Sequence, residues 1–346
     1  MDGRKRTSWG RRIEHREKLN SKPLAPSALQ HSRMQLTQTL KSCSFGDVEG
    51  MTNQNQIDLI GAGKGFIAAL DQSGGSTPKA LAAYGITNEA IISDNKMYEL
   101  IHEMRHRIVI SPNFTGKKVI GAILFEDTMN RNFQGKKSAQ YLWEERGIVP
   151  FLKVDKGLSG IYEGVQLMKD IPDLDSLLKR AANLNIFGTK MRSVIGSANL
   201  VGISKNVKQQ FKMGKQILEH GLVPILEPEI TIGIPDKAEA EIILKKEIIK
   251  QLDTLPDNQN IMLKLTLPEV KNHYLELIRH KNVLSVVALS GGYTRSDAIG
   301  RLAQNKSMIA SFSRALTEGL SVHQSDLEFD KMLGQTIDSI YHASIS

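Results

Sequence analysis

The sequence predicts one α/β domain, a closed (β/α)8 barrel of parallel strands, and three observations point to it. Short apolar runs recur from Gly65 onward, separated by amphipathic or charged stretches long enough for helices. Eight such units follow one another. Polar and ionisable residues collect at the C-terminal end of the runs, where a barrel gathers its strand ends on one face. An open doubly wound sheet is the alternative, but eight consecutive units favour closure.

The candidate strands are Gly65–Leu70, Val119–Phe125, Val149–Val154, Ile186–Arg192, Leu222–Glu227, Ile261–Thr266, Val283–Leu289 and Met308–Ser313. Each reads as a near-continuous buried strand, as parallel sheets with both faces covered require. At or just after their ends stand Asp71, Glu126, Asp155, Lys190 with Arg192, Glu227 with Glu229, Lys264, Ser290 with two glycines, and Arg314. A C-terminal helix and tail complete a barrel domain over residues 51–346.

Residues 1–50 are polar and lack helical or strand periodicity, a composition that favours disorder, so they are expected to be a basic extension or a misplaced start, with Met51 as an alternative first residue. They hold ten Lys/Arg against five Asp/Glu and so supply five of the eight net positive charges. The remaining balance is too small to argue for a nucleic-acid partner. No apolar run approaches the roughly 20 residues of a membrane span, and no secretory signal is present. The only cysteine, Cys43, excludes an intrachain disulfide and a cysteine-based zinc cluster. A cytoplasmic protein is expected, working as a homo-oligomer, with no cofactor and no metal.

Lys264 lies inside Ile-Met-Leu-Lys-Leu-Thr-Leu, where a lysine is rarely buried without a partner or a task, though it can also snorkel to a rim. Lys190, in Phe-Gly-Thr-Lys-Met-Arg, is a second strand lysine. A neighbouring cation and an apolar wall both disfavour a protonated amine, so one of the two could attack a carbonyl. Glu227 and Glu229 flank Pro228, which is expected to end the ladder and aim both carboxylates. They read either as ion-pair partners for the lysines or as proton carriers.

Ser290-Gly291-Gly292 follows the seventh strand and Arg314 the eighth, the position where barrels commonly hold a phosphate. Glycines let backbone N–H groups approach the oxygens, and an arginine adds a charge-assisted fork. Asp71-Gln72-Ser73-Gly74-Gly75-Ser76 repeats the device after the first strand, or is simply a capping loop before Pro78. Lys153 and Asp155 add a cation and an acid to the same face. Two phosphate loops across one mouth imply a substrate phosphorylated at both ends.

Two motifs read as bland. His102-Glu103-Met104-Arg105-His106 has the spacing of a zinc-protease helix, but it falls on the helix after the first strand, outside the barrel. Gly61-Ala62-Gly63-Lys64-Gly65 resembles a nucleotide loop but precedes its strand instead of following it.

In combination these motifs resemble class I fructose-bisphosphate aldolases, in particular the bacterial branch, from about Ile57 to near the C-terminus. They are Ala-Leu-Asp-Gln-Ser-Gly-Gly-Ser, Phe-Leu-Lys-Val-Asp-Lys-Gly, Thr-Lys-Met-Arg, Glu-Pro-Glu-Ile, the Lys264 strand, Leu-Ser-Gly-Gly and Ser-Arg-Ala-Leu, in the family's order. The resemblance implies a TIM barrel that interconverts fructose 1,6-bisphosphate with dihydroxyacetone phosphate and glyceraldehyde 3-phosphate, without a metal, in glycolysis and gluconeogenesis. It implies that Lys264 forms the Schiff base with C2, that Glu227 shuttles protons, and that Asp71 takes the C4 hydroxyl proton. Lys190 and Glu229 assist electrostatically, with Asp155 and Arg192 in support. Ser290, Gly291, Gly292 and Arg314 hold the C1 phosphate; Ser73, Ser76 and Lys153 hold the C6 phosphate. Animal-type enzymes carry an acid after the catalytic aspartate and end in a tyrosine, where this chain has Gln72 and ends Ile-Tyr-His-Ala-Ser-Ile-Ser with Tyr341. A transaldolase or deoxyribose-phosphate aldolase handles at most one phosphate per substrate, and a barrel turned binding scaffold would not need every one of these residues.

Overall fold

In the computed structural model the backbone is described for residues 45–346 and the side chains from residue 53. The chain divides into two compact units, Met1–Met51 and Thr52–Ser346. The expected extension, residues 1–50, belongs to the first and lies almost wholly outside the described residues.

The second unit is the barrel. Its strands are β1 (Phe66–Leu70), β2 (Val119–Leu124), β3 (Val149–Lys153), β4 (Gly188–Ile195), β5 (Val223–Ile230), β6 (Ile261–Thr266), β7 (Val283–Leu289) and β8 (Ile309–Ala310), parallel and hydrogen-bonded in sequence order. The seam between β8 and β1 is closed by the Ala69 N–H, which donates to Phe312 O at 3.1 Å. The helices that matter for the site are α1 (Phe45–Ala62), α2 (Ser76–Ala83), α3 (Asp94–Ile110), α4 (Leu174–Asn183), α5 (Leu200–Glu219), α6 (Lys237–Leu252), α7 (Arg295–Leu302) and α8 (Asp326–Ser344). Among the described residues no helix is long and apolar enough to cross a membrane.

Alternate residues along each strand face opposite sides, so the barrel has two apolar sets. Ile67, Ala69, Ile123, Phe151, Phe187, Ile225, Met262, Val287 and Ile309 fill the interior, and Ile60 of α1 joins them from the N-terminal end. The other set, including Ala68, Leu70, Leu152, Met191, Leu263 and Leu265, packs outward on the helices. Gly188 is required here: a Cβ would stand 2.2 Å from Val223 O and 3.0 Å from the Phe151 ring.

Three expectations are corrected. β8 spans two residues, not the run Met308–Ser313, because beyond Ala310 the chain is tied by single bonds, Ser311 N–H to Ala288 O at 2.7 Å and Phe312 O from Ala69. β4 and β5 run past their expected ends to Ile195 and Ile230. An unforeseen hairpin, Leu158–Tyr162 with Val165–Met168, pairs antiparallel with the end of β4 and supports that extension. Pro228, finally, does not end the strand. Pairing with β4 continues through Pro228 to Ile230, while pairing with β6 stops at Leu226. There the Thr266 hydroxyl takes the ladder's place, accepting from Ile230 N–H at 3.0 Å and donating to Ile230 O at 2.7 Å.

Candidate functional site

The inward positions of β3 to β6 change from apolar to ionic as the strands reach the mouth. On β5 the inward series is Val223, Ile225, then Glu227; on β6 it is Met262 then Lys264; on β3 it is Val149, Phe151, Lys153, with Asp155 beyond the strand end. Lys153 and Lys190 are register partners, as are Arg192 and Glu227, so neighbouring strands present charges at one level. Asp71 follows β1 and completes the ring.

Within it, Lys264 Nζ lies 3.1 Å from Glu227 Oε1. Lys190 Nζ lies 2.7 Å from Asp71 Oδ2, 2.9 Å from Glu227 Oε2 and 4.0 Å from Asp155 Oδ2. All five groups are buried. Burial alone would lower the pKa of Lys190, yet the carboxylates of Asp71, Glu227 and Asp155 together hold it well above an ordinary lysine. Burial would raise the Asp71 carboxyl; Lys190, Lys264 and Lys153 outweigh it and hold the group well below the usual carboxylate range. Lys190 therefore stays an ammonium and Asp71 a carboxylate. Of the two strand lysines, Lys264 faces one carboxylate where Lys190 faces three. Among the described residues Glu227 Oε2 accepts no hydrogen bond: Lys190 approaches it as an ion and not along a donor direction.

Around this centre Lys153 Nζ donates to Asp155 Oδ1 at 2.7 Å and to Asp155 O at 2.8 Å, and Asp155 Oδ2 accepts from Arg192 N–H at 3.1 Å. Arg192 Nε pairs with Glu229. The side chain of Arg192 is therefore turned to Glu229 at the rim, and burial acting to lower its pKa is outweighed by Glu229.

The two candidate phosphate loops, expected on opposite sides of the mouth, are neighbours instead: they follow β1 and β7–β8, which meet at the seam, and Gln72 Nε2 donates to Ser313 Oγ at 2.8 Å between them. Gly291 and Gly292 have φ of 60° and 117°, conformations that an L side chain resists. The Arg314 guanidinium lies beside Gly292, its Nη2 3.5 Å from where a Cβ would stand, an ordinary contact distance. Ser290 is buried while Arg314 is exposed. After β1, Ser76 Oγ donates to Ser73 O at 2.8 Å and accepts from Ser73 N–H at 3.0 Å, a turn that opens α2 with its first N–H groups at the mouth.

Among the described residues no group of three or more His, Cys, Asp or Glu is placed to hold a metal ion. His102 and His106 lie on α3 and pack on Phe133, with ring centroids 5.3 and 6.0 Å away; burial keeps the His102 ring below the usual imidazole range. Gly61–Lys64 lines a recess of about 340 Å³ at the opposite end of the barrel, with Ser344 and Ser346. Tyr341 belongs to the same end of α8, partly buried against the core and away from the mouth.

Sequence reasoning missed three things. Glu126, after β2, is bound by Arg180 of α4 and by Lys156 at 3.0 Å, tying the rim on one side. Lys237 and Glu241 form a buried pair, with Lys237 also donating to Leu267 O at 2.9 Å beyond β6. Arg105, the inner residue of the histidine motif, is fully buried beneath Gln72. Its only sequence signal was a charge among Ile101, Met104 and Ile108 on the helix's apolar side.

Residues 52–271 match the family described as fructose-bisphosphate aldolase class-I. The chain is 56% identical over 294 residues to the fructose-bisphosphate aldolase class 1 of Synechocystis sp., covering 85% of this chain and 98% of the relative. It is 55% identical over 293 residues to the enzyme of the same name from Porphyromonas gingivalis, covering 85% and 99%. Among solved structures it is similar in fold to the fructose-bisphosphate aldolase of Plasmodium falciparum, with a TM-score of 0.68 at 20% identity over 85% of this chain and 94% of that one.

Proposed function

The chain belongs to the class I fructose-bisphosphate aldolase family, and we propose that Lys264 is its Schiff-base lysine, with Glu227, Lys190 and Asp71 as the groups that move and hold charge around it. The enzyme is a carbon–carbon lyase that interconverts fructose 1,6-bisphosphate with dihydroxyacetone phosphate and glyceraldehyde 3-phosphate in glycolysis. The observation that carries the site assignment is the buried ring in which Lys264 shares Glu227 with Lys190, whose carboxylate neighbours favour its charged form.

The Lys264 amine, having passed its proton to Glu227, adds to C2 of the open-chain ketose. Glu227 returns protons as the carbinolamine forms and loses water, leaving an iminium. Asp71 takes the proton of the C4 hydroxyl, the C3–C4 bond breaks, and its electron pair runs into the iminium to give an enamine. Glyceraldehyde 3-phosphate departs; protonation at C3 and hydrolysis release dihydroxyacetone phosphate and the free lysine. Lys190 stays charged and stabilises both carboxylates and the oxygens developing charge beside them. Glu229 holds Arg192 at the rim, and Asp155 holds Lys153. Ser290, Gly291, Gly292 and Arg314 are proposed to bind the C1 phosphate; Ser73, Ser76 and Lys153 the C6 phosphate.

We further propose a cytoplasmic enzyme that works as a homo-oligomer, which the mass in solution would test. For the site itself, borohydride with dihydroxyacetone phosphate should inactivate the enzyme and leave the reduced adduct on Lys264. An adduct on Lys190 would overturn the assignment.

A further inference from the structure

We propose that Arg105 is a positioning residue which acts through Gln72, forming a buried brace that fixes the loop bearing Asp71 against the loop bearing Arg314. This rests on the roles given to Asp71 and Arg314 above.

Arg105 sits on the buried side of α3 with 0% exposure, beside Ile101, Met104 and Ile108. A guanidinium in such a place is costly, and an aliphatic side chain would fill it at less expense of solvation. Among the described residues Arg105 makes no ion pair, and its Nε has no partner. All its hydrogen bonds go toward the barrel mouth. Nη1 donates to Thr128 Oγ1 at 2.7 Å, and Nη2 donates to Gln72 O at 2.5 Å and to Gln72 Oε1 at 3.4 Å. Burial pulls its pKa down to about 10, with Asp71 and Asp127 opposing, so it remains a cation at neutral pH.

Because a guanidinium can only donate, the side of the Gln72 amide facing it must be Oε1. Nε2 is thereby turned the other way, where it donates to Ser313 Oγ at 2.8 Å. That bond crosses the β1–β8 seam, which β8 enters with only two strand residues and which one backbone bond closes at Ala69. The two ends of the bridge are the immediate neighbours of Asp71 and Arg314. The brace thus sets the distance between the base at the C4 hydroxyl and the cation at the C1 phosphate. Thr128 anchors its far end behind β2.

The test compares Gln72→Leu, Gln72→Glu, Arg105→Lys and the double variant Arg105→Lys/Gln72→Leu, measuring kcat and KM on fructose 1,6-bisphosphate and fructose 1-phosphate, and borohydride trapping with dihydroxyacetone phosphate. Loss of the Gln72–Ser313 bond should raise KM on both sugars, and the half-saturating concentration in trapping, by the same factor of about two to ten. Gln72→Glu should restore near-native KM, since one carboxylate oxygen meets Arg105 and the other accepts the Ser313 hydroxyl. The double variant should be no worse than the weaker single one, as a chain acting as one unit requires. Arg105 is buried and Arg105→Lys could fail to fold; Gln72→Leu, at a half-buried position, then decides alone. An unchanged KM in folded Gln72→Leu, a KM rise confined to the bisphosphate, or losses that multiply in the double variant would overturn the brace. Failure of the unaltered enzyme to trap an adduct on Lys264 would instead overturn the site reading, and the brace with it.

Discussion

The lower and upper halves of the barrel are built from the same strands and the same inward register, yet they do opposite work. Toward the N-terminal end the inward residues are Ile67, Val149, Phe151, Ile225 and Met262. Nearer the mouth they give way to Asp71, Asp155, Lys190, Glu227 and Lys264. The lower layer excludes water and fixes the strand positions by close packing. The upper layer gathers five charged groups that packing alone would reject, and each is tolerated because its neighbours carry the opposite sign. The difference teaches that the apolar plug is what makes the ionic ring possible: it keeps the ring dry from below and holds its members at contact distance.

This contrast is broken most severely at Lys264. Lys264→Met should lower kcat by about 10⁴-fold or more, as loss of a covalent nucleophile does. Stability should fall by less than about 2 kcal/mol, because Glu227 keeps Lys190 at 2.9 Å. A cleavage assay beside a denaturant titration reads both; a stable variant with substantial activity would remove Lys264 from the chemistry.

The mirror variant is Phe151→Ala in the lower layer, beneath Lys153 on the same strand. It should cost about 3–5 kcal/mol of stability through the cavity it leaves, with kcat per folded molecule nearly intact. Large loss of kcat in fully folded protein would mean that the two layers are not separable.

At the rim, Arg314→Ala should remove charge-assisted hydrogen bonds worth about 1.5–3 kcal/mol, roughly tenfold to a hundredfold in KM, on fructose 1,6-bisphosphate and fructose 1-phosphate alike. Lys153→Ala should harm only the bisphosphate. The reverse pattern would show that the two phosphate loops had been exchanged. Arg314→Lys should rescue little, since an ammonium cannot reproduce the fork.

The pH dependence of stability separates the layers more gently. Asp71 is lowered from 3.8 in the fold, so its contribution is complete above that pH and is lost as the pH falls through the lowered value. Lys190 is raised from 10.5, so its contribution is complete below that pH and is lost as the pH rises through the raised value. The stability difference between the wild type and Lys190→Met should therefore be level between about pH 4 and 10 and shrink outside that window. A slope near neutrality would place the titrating groups elsewhere. The smallest effects are expected from a chelator and from a chain beginning at Met51, both of which should leave kcat unchanged in the cleavage assay.

Much of this was legible in order along the chain. Period and punctuation gave all eight strands within a few residues, and β6 and β7 to the residue, because a buried parallel strand must be apolar throughout and its length is set by the barrel. The identity of the polar residues at the strand ends marked one face as chemical, since a barrel brings all C-terminal ends together. The motif order along the chain carried the resemblance to the family.

What the chain could not declare by itself were relations across strands. By residue pattern alone Lys190 and Lys264 are both candidates, and only the family resemblance chooses Lys264; the fold adds that three carboxylates surround Lys190, a relation between residues far apart in sequence. Pro228 was expected to end its ladder, and only the Thr266 hydroxyl on the next strand shows why β5 can continue. In the sequence Arg105 stands out only as an inner residue of the bland His102–His106 motif. It is buried because Gln72, 33 residues earlier, offers it a carbonyl oxygen, and Gln72 in turn reaches Ser313 across 241 residues of sequence. Local pattern determines which way a side chain points, since that follows from backbone periodicity. Tertiary packing decides what it meets there, and Coulomb and hydrogen-bond energies act only at contact distance.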